Sequence, residues 1–242
     1  MKKSKPNYGI DAPDVLRRLY LIGALSLATA VGLMVFQKQI PAARVAAPTF
    51  LSSGISFLVC ASIMLWGSKF GKLRVRDRVT ASLALRGDER VLDVGCGHGL
   101  MLIGAAKQLT SGRAVGVDLW QLEDQAGNCR EATLQNATLE GVADRIELHD
   151  GDARKLPFES ASFDAVVSSW ALHNIYDSVD RRQAIAEIAR VLKPGGRLAI
   201  MDIRHARSYA RELRGLGFAE VKLGGVSFVF VTPSLCVRAR KP

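Results

Sequence analysis

The sequence predicts an α/β protein with a doubly wound, mainly parallel seven-stranded sheet, preceded by two transmembrane helices. Three observations carry this expectation. From Glu89 onward, short apolar runs of strand length alternate with helix-length segments, and repeated β-α units of this kind close into a parallel sheet through right-handed crossovers. Ahead of them lie two long uncharged runs, residues 19–36 and 46–66. Where the first strand ends, Val91-Leu92-Asp93-Val94-Gly95-Cys96-Gly97-His98-Gly99 places three alternating glycines directly before an apolar helical stretch.

The uncharged runs come first in the chain. At 1.5 Å per residue the first reaches about 27 Å, close to the ~30 Å of a bilayer's hydrocarbon. The second is longer and less oily, with Ser52, Ser53, Ser56 and Ser62, and only residues 37–45 separate them. The net charge of +10 divides unevenly: residues 1–78 hold twelve Lys and Arg against three acids, and the remainder twenty-one against twenty. The basicity therefore flanks the apolar runs and does not describe a nucleic-acid groove on the globular part. Five cations precede the first run (Lys2, Lys3, Lys5, Arg17, Arg18), two lie in the loop, and five follow the second (Lys69, Lys72, Arg74, Arg76, Arg78). The positive-inside bias then puts both ends in the cytoplasm.

The expected organisation is a membrane hairpin over residues 1–68, a basic juxtamembrane helix over 69–86 and a globular domain over 87–242. Small residues at Ala28/Gly32 and Ser52/Ser56 have the spacing that lets membrane helices approach. In the juxtamembrane helix Val75, Val79 and Leu83 would face the sheet, and the arginines anionic headgroups. A cleaved signal peptide ending near Ala42, Ala43, Ala46 and Ala47, or a single span with one buried helix, are the competing readings. Cys60, Cys96, Cys129 and Cys236 have no metal-ligand or redox spacing and read as unpaired thiols, with no metal site.

Five parallel strands are expected at residues 90–94, 113–118, 146–150, 163–168 and 197–202. Helices are expected at 100–109, 123–139 and 180–191, the last stopped by Lys193-Pro194-Gly195-Gly196. Residues 218–223 and 235–240 look like consecutive strands, an antiparallel pair at the sheet edge.

In doubly wound sheets ligands sit beyond the carboxyl ends of the strands, so the residues just after each strand are the informative ones. After the first come Asp93 and Gly95, Gly97 and Gly99. The second ends in Asp118, placed to accept two hydrogen bonds from a ribose diol, and Leu119 and Trp120 can flank a purine. The third leads into Asp150-Gly151-Asp152-Ala153, where a carboxylate can accept from an exocyclic amine and a backbone N–H can donate to a ring nitrogen. Together these describe an adenosine site with no evident partner for a pyrophosphate. The spacing G-x-G-x-G followed by Leu100 also lacks the third glycine of the dinucleotide fingerprint.

At this point residues 75–242 resemble the class I S-adenosylmethionine-dependent methyltransferases, particularly the methyltransferase type 11 group that includes the ubiquinone and menaquinone enzymes. The resemblance rests on VLDVGCGHG, AVGVDLW, GDARKLPF, SFDAVVSSWALHNI and EIARVLKPGGRLAIMD. It implies S-adenosylmethionine as cofactor, with its methionine end on the Gly95 to Gly99 turn and its ribose on Asp118. It further implies that Asp152 and Ala153 hold the adenine and that the segment from Ser168 lies beside the sulfonium. The quinone enzymes carry Arg-Asn after the fourth strand where this chain has His173-Asn174, a departure that counts against transferring quinone specificity. The signature of enzymes that methylate flipped-out bases is missing, so nucleic acid is not the expected substrate.

Methyl transfer from a sulfonium is an in-line displacement in which alignment and desolvation do most of the work, and a base is needed only for a protonated acceptor. His173 is the first candidate base, followed by His205 and Tyr209. His98 would face the methionine carboxylate or be an exposed loop residue. Trp170, Phe228, Phe230 and Val231 would line an acceptor pocket or pack the edge. The expectation is a membrane-anchored methyltransferase, its catalytic domain cytoplasmic, acting on a lipophilic or amphipathic small molecule. The alternatives are a non-catalytic S-adenosylmethionine-binding membrane module and a nicotinamide-dependent oxidoreductase.

Overall fold

The computed structural model describes residues 5–121, 127–229 and 231–242. Its centre is a seven-stranded sheet in the order β3-β2-β1-β4-β5-β7-β6. β1 (Arg90–Val94), β2 (Arg113–Asp118), β3 (Ile146–Asp150), β4 (Phe163–Ser169) and β5 (Leu192–Asp202) are parallel, and β7 (Leu235–Arg240) runs antiparallel between β5 and β6 (Ala219–Leu223). Val91, Leu92 and Val94 are buried on both faces of the sheet, as a central parallel strand requires. Because the chain winds outward from β1 to β3 and returns to β4, the order reverses between β1 and β4, and a crevice opens there.

Helices cover both faces. One face packs Val75, Val79 and Leu83 against Met101, Leu102 and Ile103 of α4 (Leu100–Ala106). The other packs Ile185 and Ile188 of α6 (Ser178–Val191) with Tyr209 and Leu213 of α7 (Ala206–Gly215). α6 starts at the Asp177 cap, whose carboxylate accepts from Val179 and Asp180 N–H at 2.6 and 3.1 Å. α7 is an element that the sequence reading lacks, although Ala206, Tyr209, Ala210 and Leu213 carry a helical spacing.

β5 begins at Leu192, not at 197. The Pro-Gly-Gly stretch expected as a turn is drawn into pairing with the C-terminal tail, Gly195 N–H to Lys241 O and Lys241 N–H to Gly196 O, both 2.9 Å. α5 occupies Arg130–Leu139; residues 123–126 of the expected helix lie outside the described residues.

α1 (Pro13–Phe36) and α2 (Ala43–Trp66) form an antiparallel hairpin, each long and apolar enough to cross a membrane. Gly23 and Ala30 on α1, and Ala47, Gly54 and Ala61 on α2, are buried at seven-residue intervals, the repeat of left-handed helix pairs. A Cβ on Gly23 would come 2.8 Å from Leu58, and one on Gly54 2.7 Å from Leu27. The expected contacts are therefore corrected: Ala28, Ser52 and Ser56 are exposed, and nothing lies within 4 Å of a Cβ on Gly32. Only 11% and 17% of the two apolar windows are buried, unlike the mostly buried core helix of a soluble domain.

α2 passes through a π-helical turn, Gly67–Gly71, into α3 (Lys72–Ala81). Val75, Val79 and Leu83 are buried as expected, whereas Arg76, one of the arginines assigned to headgroups, is buried, as is Lys72. Arg76 is buried between Asp77 and Glu140 and over the Tyr8 ring. The Lys72 ammonium donates to Tyr8 O, Gly9 O and Asp11 Oδ2 at 2.7, 2.8 and 2.9 Å. Residues 7–11, ahead of the first apolar helix, are thus bound to the α/β unit.

Candidate active site

At the carboxyl ends of β1 to β4 lies a cavity of about 460 Å³. Gly95, Gly97 and Gly99 follow β1 with φ of +72°, +48° and +83°, a left-handed region costly to side chains. Close packing adds to this: a Cβ on Gly95 would stand 2.3 Å from the Ala171 Cβ, and one on Gly99 2.8 Å from Thr133 Cγ2. Gly95 and Gly97 line the cavity, whereas Gly99 lies behind it as the left-handed residue that starts α4.

Asp118, at the tip of β2, holds this turn open. Its Oδ2 accepts Gly97 N–H at 2.8 Å, and its Oδ1 accepts Trp120 N–H at 2.7 Å and Asn128 Nδ2 at 3.2 Å. A carboxylate offers about four acceptor positions, so a ligand diol would take the open one and displace Asn128, the longest contact. Asn128 also lines the cavity, and its Oδ1 is buried without a partner among the described residues. Leu119 is on the wall as expected, whereas the Trp120 indole is held away on Asp150 Oδ1 at 2.7 Å.

Asp152 and Ala153 line the far end beyond β3. Arg154 grips Asp152 through Nε and Nη2 at 2.6–3.0 Å and reaches Asp180 at 2.7 Å. Its guanidinium holds the Asp152 carboxyl below the usual carboxylate range. Asp93 is buried beneath the glycine turn, where Leu102 N–H reaches its Oδ2 at 2.8 Å and Oδ1 has no partner among the described residues. Burial pushes this carboxyl up to about 8, Asp118 pushes in the same direction, and the Leu102 bond opposes both.

The raised value makes a testable statement about pH. A carboxyl protonated more readily in the fold than in the unfolded chain stabilises fully below about pH 4 and loses that contribution as pH rises through its folded pKa. The melting temperature of the ligand-free protein in detergent is expected to fall between about pH 4 and 8 and to level off above that, and Asp93→Asn to flatten that slope. An equal slope in both proteins would refute the assignment.

Ser168 does not reach the cavity. Its buried hydroxyl donates to Val94 O at 2.8 Å, and the wall begins one residue later, with Ser169, Trp170, Ala171 and Leu172. The wall resumes at Asn174 and passes His173 by. His173 Nδ1 lies 2.7 Å from Asp202 Oδ1, and Asp202 Oδ2 accepts His173 N–H and the Tyr209 hydroxyl, both at 3.1 Å. Tyr209 is buried and His205 contacts its ring; neither lines the cavity. His98 is buried on the wall, not exposed, with Nδ1 3.1 Å from Asn7 O. Phe228 and Val231 are exposed away from the wall, and Phe230 lies outside the described residues.

The sequence reading missed the contribution from the chain's beginning. Tyr8, Asp11 and Lys72 line the cavity. Asn7 and Asn136 exchange two hydrogen bonds, at 2.7 and 2.9 Å, and the Tyr8 hydroxyl donates to Glu140 at 2.9 Å. No local motif in residues 5–11 announces this, because the bonds span more than a hundred residues.

Residues 92–200, which contain the glycine turn, Asp118, Asp152 and the wall after β4, match the family described as a methyltransferase domain. The chain is 37% identical over 129 residues to the 27-O-demethylrifamycin SV methyltransferase of Amycolatopsis mediterranei, covering 53% of this chain and 44% of that one. With the demethylmenaquinone methyltransferase of Lactiplantibacillus plantarum it is 36% identical over 128 residues, covering 52% and 50%. The chain spans about half the length of these relatives. A SAM-dependent methyltransferase from Aquifex aeolicus shares the fold at a TM-score of 0.55 and 20% identity, covering 71% of this chain and 92% of that one.

S-adenosylmethionine is the cofactor that a methyltransferase domain implies, and the residues fit it. Asp11, Asp118, Asp152, Asp177 and Asp180 line the cavity, while the two Lys and Arg side chains among its described lining residues, Lys72 and Arg154, are already bonded to carboxylates. That balance suits a ligand with a cationic centre, and the open acceptor position of Asp118 suits a ribose.

Proposed function

We propose that this protein is a membrane-anchored methyltransferase that uses S-adenosylmethionine to methylate a lipophilic or amphipathic small molecule, with its catalytic domain in the cytoplasm. The methyl donor supplies an activated methyl group on a sulfonium, and the chain's own residues bind, orient and exclude water. Asp118 holds the ribose, the glycine turn, where no Cβ stands at Gly95 and Gly97, lies against the methionine end, and Asp152 with Ala153 takes the adenine. His173 lies behind the wall, with Nδ1 2.7 Å from Asp202 Oδ1 and its backbone N–H on Asp202 Oδ2, so its role is to position the segment after β4 and not to touch the substrate. The relatives, a 27-O-demethylrifamycin SV methyltransferase and a demethylmenaquinone methyltransferase, support a small-molecule acceptor.

The observation that carries the lipophilic acceptor is the position of the hairpin. It leaves the domain after Asp11 and returns at Ser68, whose hydroxyl accepts Asp11 N–H at 3.1 Å, and Asp11 lines the cavity. An anchor rooted at the cavity rim raises the effective concentration of a membrane-dissolved acceptor.

Residues 5–11 belong to the cavity, so the test replaces only residues 13–66 with a short Gly-Ser linker. Methyl transfer from labelled donor into a vesicle-dissolved lipid extract is expected to fall at least tenfold, with donor affinity retained. Equal transfer would sink the anchoring role.

A further inference from the structure

The loop between β6 and β7 has no part in the cavity wall, yet it is tied at both ends to functional elements. Ser227 and Ser234 close its base through two backbone hydrogen bonds, Ser227 N–H to Ser234 O at 2.8 Å and Ser234 N–H to Ser227 O at 2.9 Å. The Ser234 hydroxyl accepts the indole N–H of Trp170 at 3.0 Å, and Trp170 lines the cavity. At the tip Val229 is buried against the turn by which α2 leaves its apolar run: a Cβ on Gly71 would stand 3.0 Å from Val229 and 3.3 Å from the Trp66 ring.

The other apolar side chains here have no such cover. Val226, Phe228 and Val231 on the loop, with Trp66 and Phe70 on the turn, are between 45% and 70% exposed. They lie on two segments that meet where Val229 packs at Gly71, unlike the singly scattered apolar residues of an ordinary surface. Cations stand among them, Lys69 on the turn and Arg74 with its guanidinium 5.7 Å from the Trp66 ring centre.

We propose that the tip of this loop, with Phe228 and Val231, inserts into the same leaflet that receives the end of α2. It is then a third membrane contact, which holds the Trp170 side of the cavity at the lipid surface. This rests on the anchoring reading above. The occupant is a bilayer and not a protein groove because the apolar rim continues the exposed surface of α2, and its Trp and basic residues are those that settle at an anionic lipid interface.

The experiment uses the full chain in vesicles of phosphatidylcholine and phosphatidylglycerol, with and without brominated acyl chains that quench tryptophan. Phe228→Trp is expected to add emission that is blue-shifted and loses most of its intensity in the brominated vesicles. Val231→Trp is expected to do the same, and Val179→Trp, on exposed α6, to stay unquenched. Added emission that is unquenched while native Trp66 is quenched overturns the loop insertion and leaves the anchor intact. If neither is quenched, the anchoring reading fails as well. Blue-shifted but unquenched emission means that protein covers the tip, which also overturns the proposal.

Discussion

Asp118→Ala is expected to weaken S-adenosylmethionine binding roughly 10- to 150-fold by calorimetry, about 1.5–3 kcal/mol, the range for losing charge-assisted hydrogen bonds and stranding buried donors. Two losses combine. The ribose hydroxyls lose their acceptor, and Gly97 and Trp120 lose the carboxylate that receives their N–H groups at 2.8 and 2.7 Å. Asp118→Asn, which keeps one oxygen, is expected to fall between the wild type and alanine. Affinity unchanged by both substitutions would remove Asp118 from the site and with it the adenosine reading.

Lys72→Met is expected to release the N-terminal segment from the cavity. The substitution keeps the buried stem and deletes three hydrogen bonds of 2.7–2.9 Å, two of them to backbone carbonyls of Tyr8 and Gly9. Asp11 is partly solvated, so its ion pair is discounted for screening. Because the segment can detach and its carbonyls can then bond to water, the cost appears as local opening and is capped by the segment's own stability. Hydrogen exchange at the amides of Asn7 and Asp11, which donate to Asn136 Oδ1 and Ser68 Oγ, is expected to speed up about 10- to 100-fold, or 1.4–2.8 kcal/mol. Exchange elsewhere, in β1 and β4, is expected to stay as it was. Unchanged exchange at both amides would mean that Lys72 does not hold the segment.

The fold neighbours and the family match agree with what local pattern made legible. Strand and helix alternate because a sheet buried on both faces demands continuous apolar runs, and these are visible in residues 90–94, 113–118 and 163–168 without any tertiary information. The glycine turn and the acid at the end of β2 were equally legible, since a ligand site at strand tips is built from residues adjacent in sequence to the strands. Apolar length alone likewise marked the two hairpin helices.

Which face of each helix meets the other was another matter. Ala28/Gly32 and Gly23/Ala30 are both plausible small-residue pairs, and only the packing of Gly23 against Leu58, with Gly54 against Leu27, selects the second. The same holds for Ser168, a polar residue at a strand tip that turns inward to Val94 O instead of outward to a ligand.

By itself the sequence determined the seven-stranded α/β architecture, the two long apolar helices and the acids and glycines at the strand tips, because each is encoded by periodicity or by neighbours along the chain. Only the tertiary structure decided that Tyr8, Asp11 and Lys72 complete the cavity wall and that His173 pairs with Asp202. Those contacts join residues far apart in the chain, through single hydrogen bonds whose geometry no periodicity records.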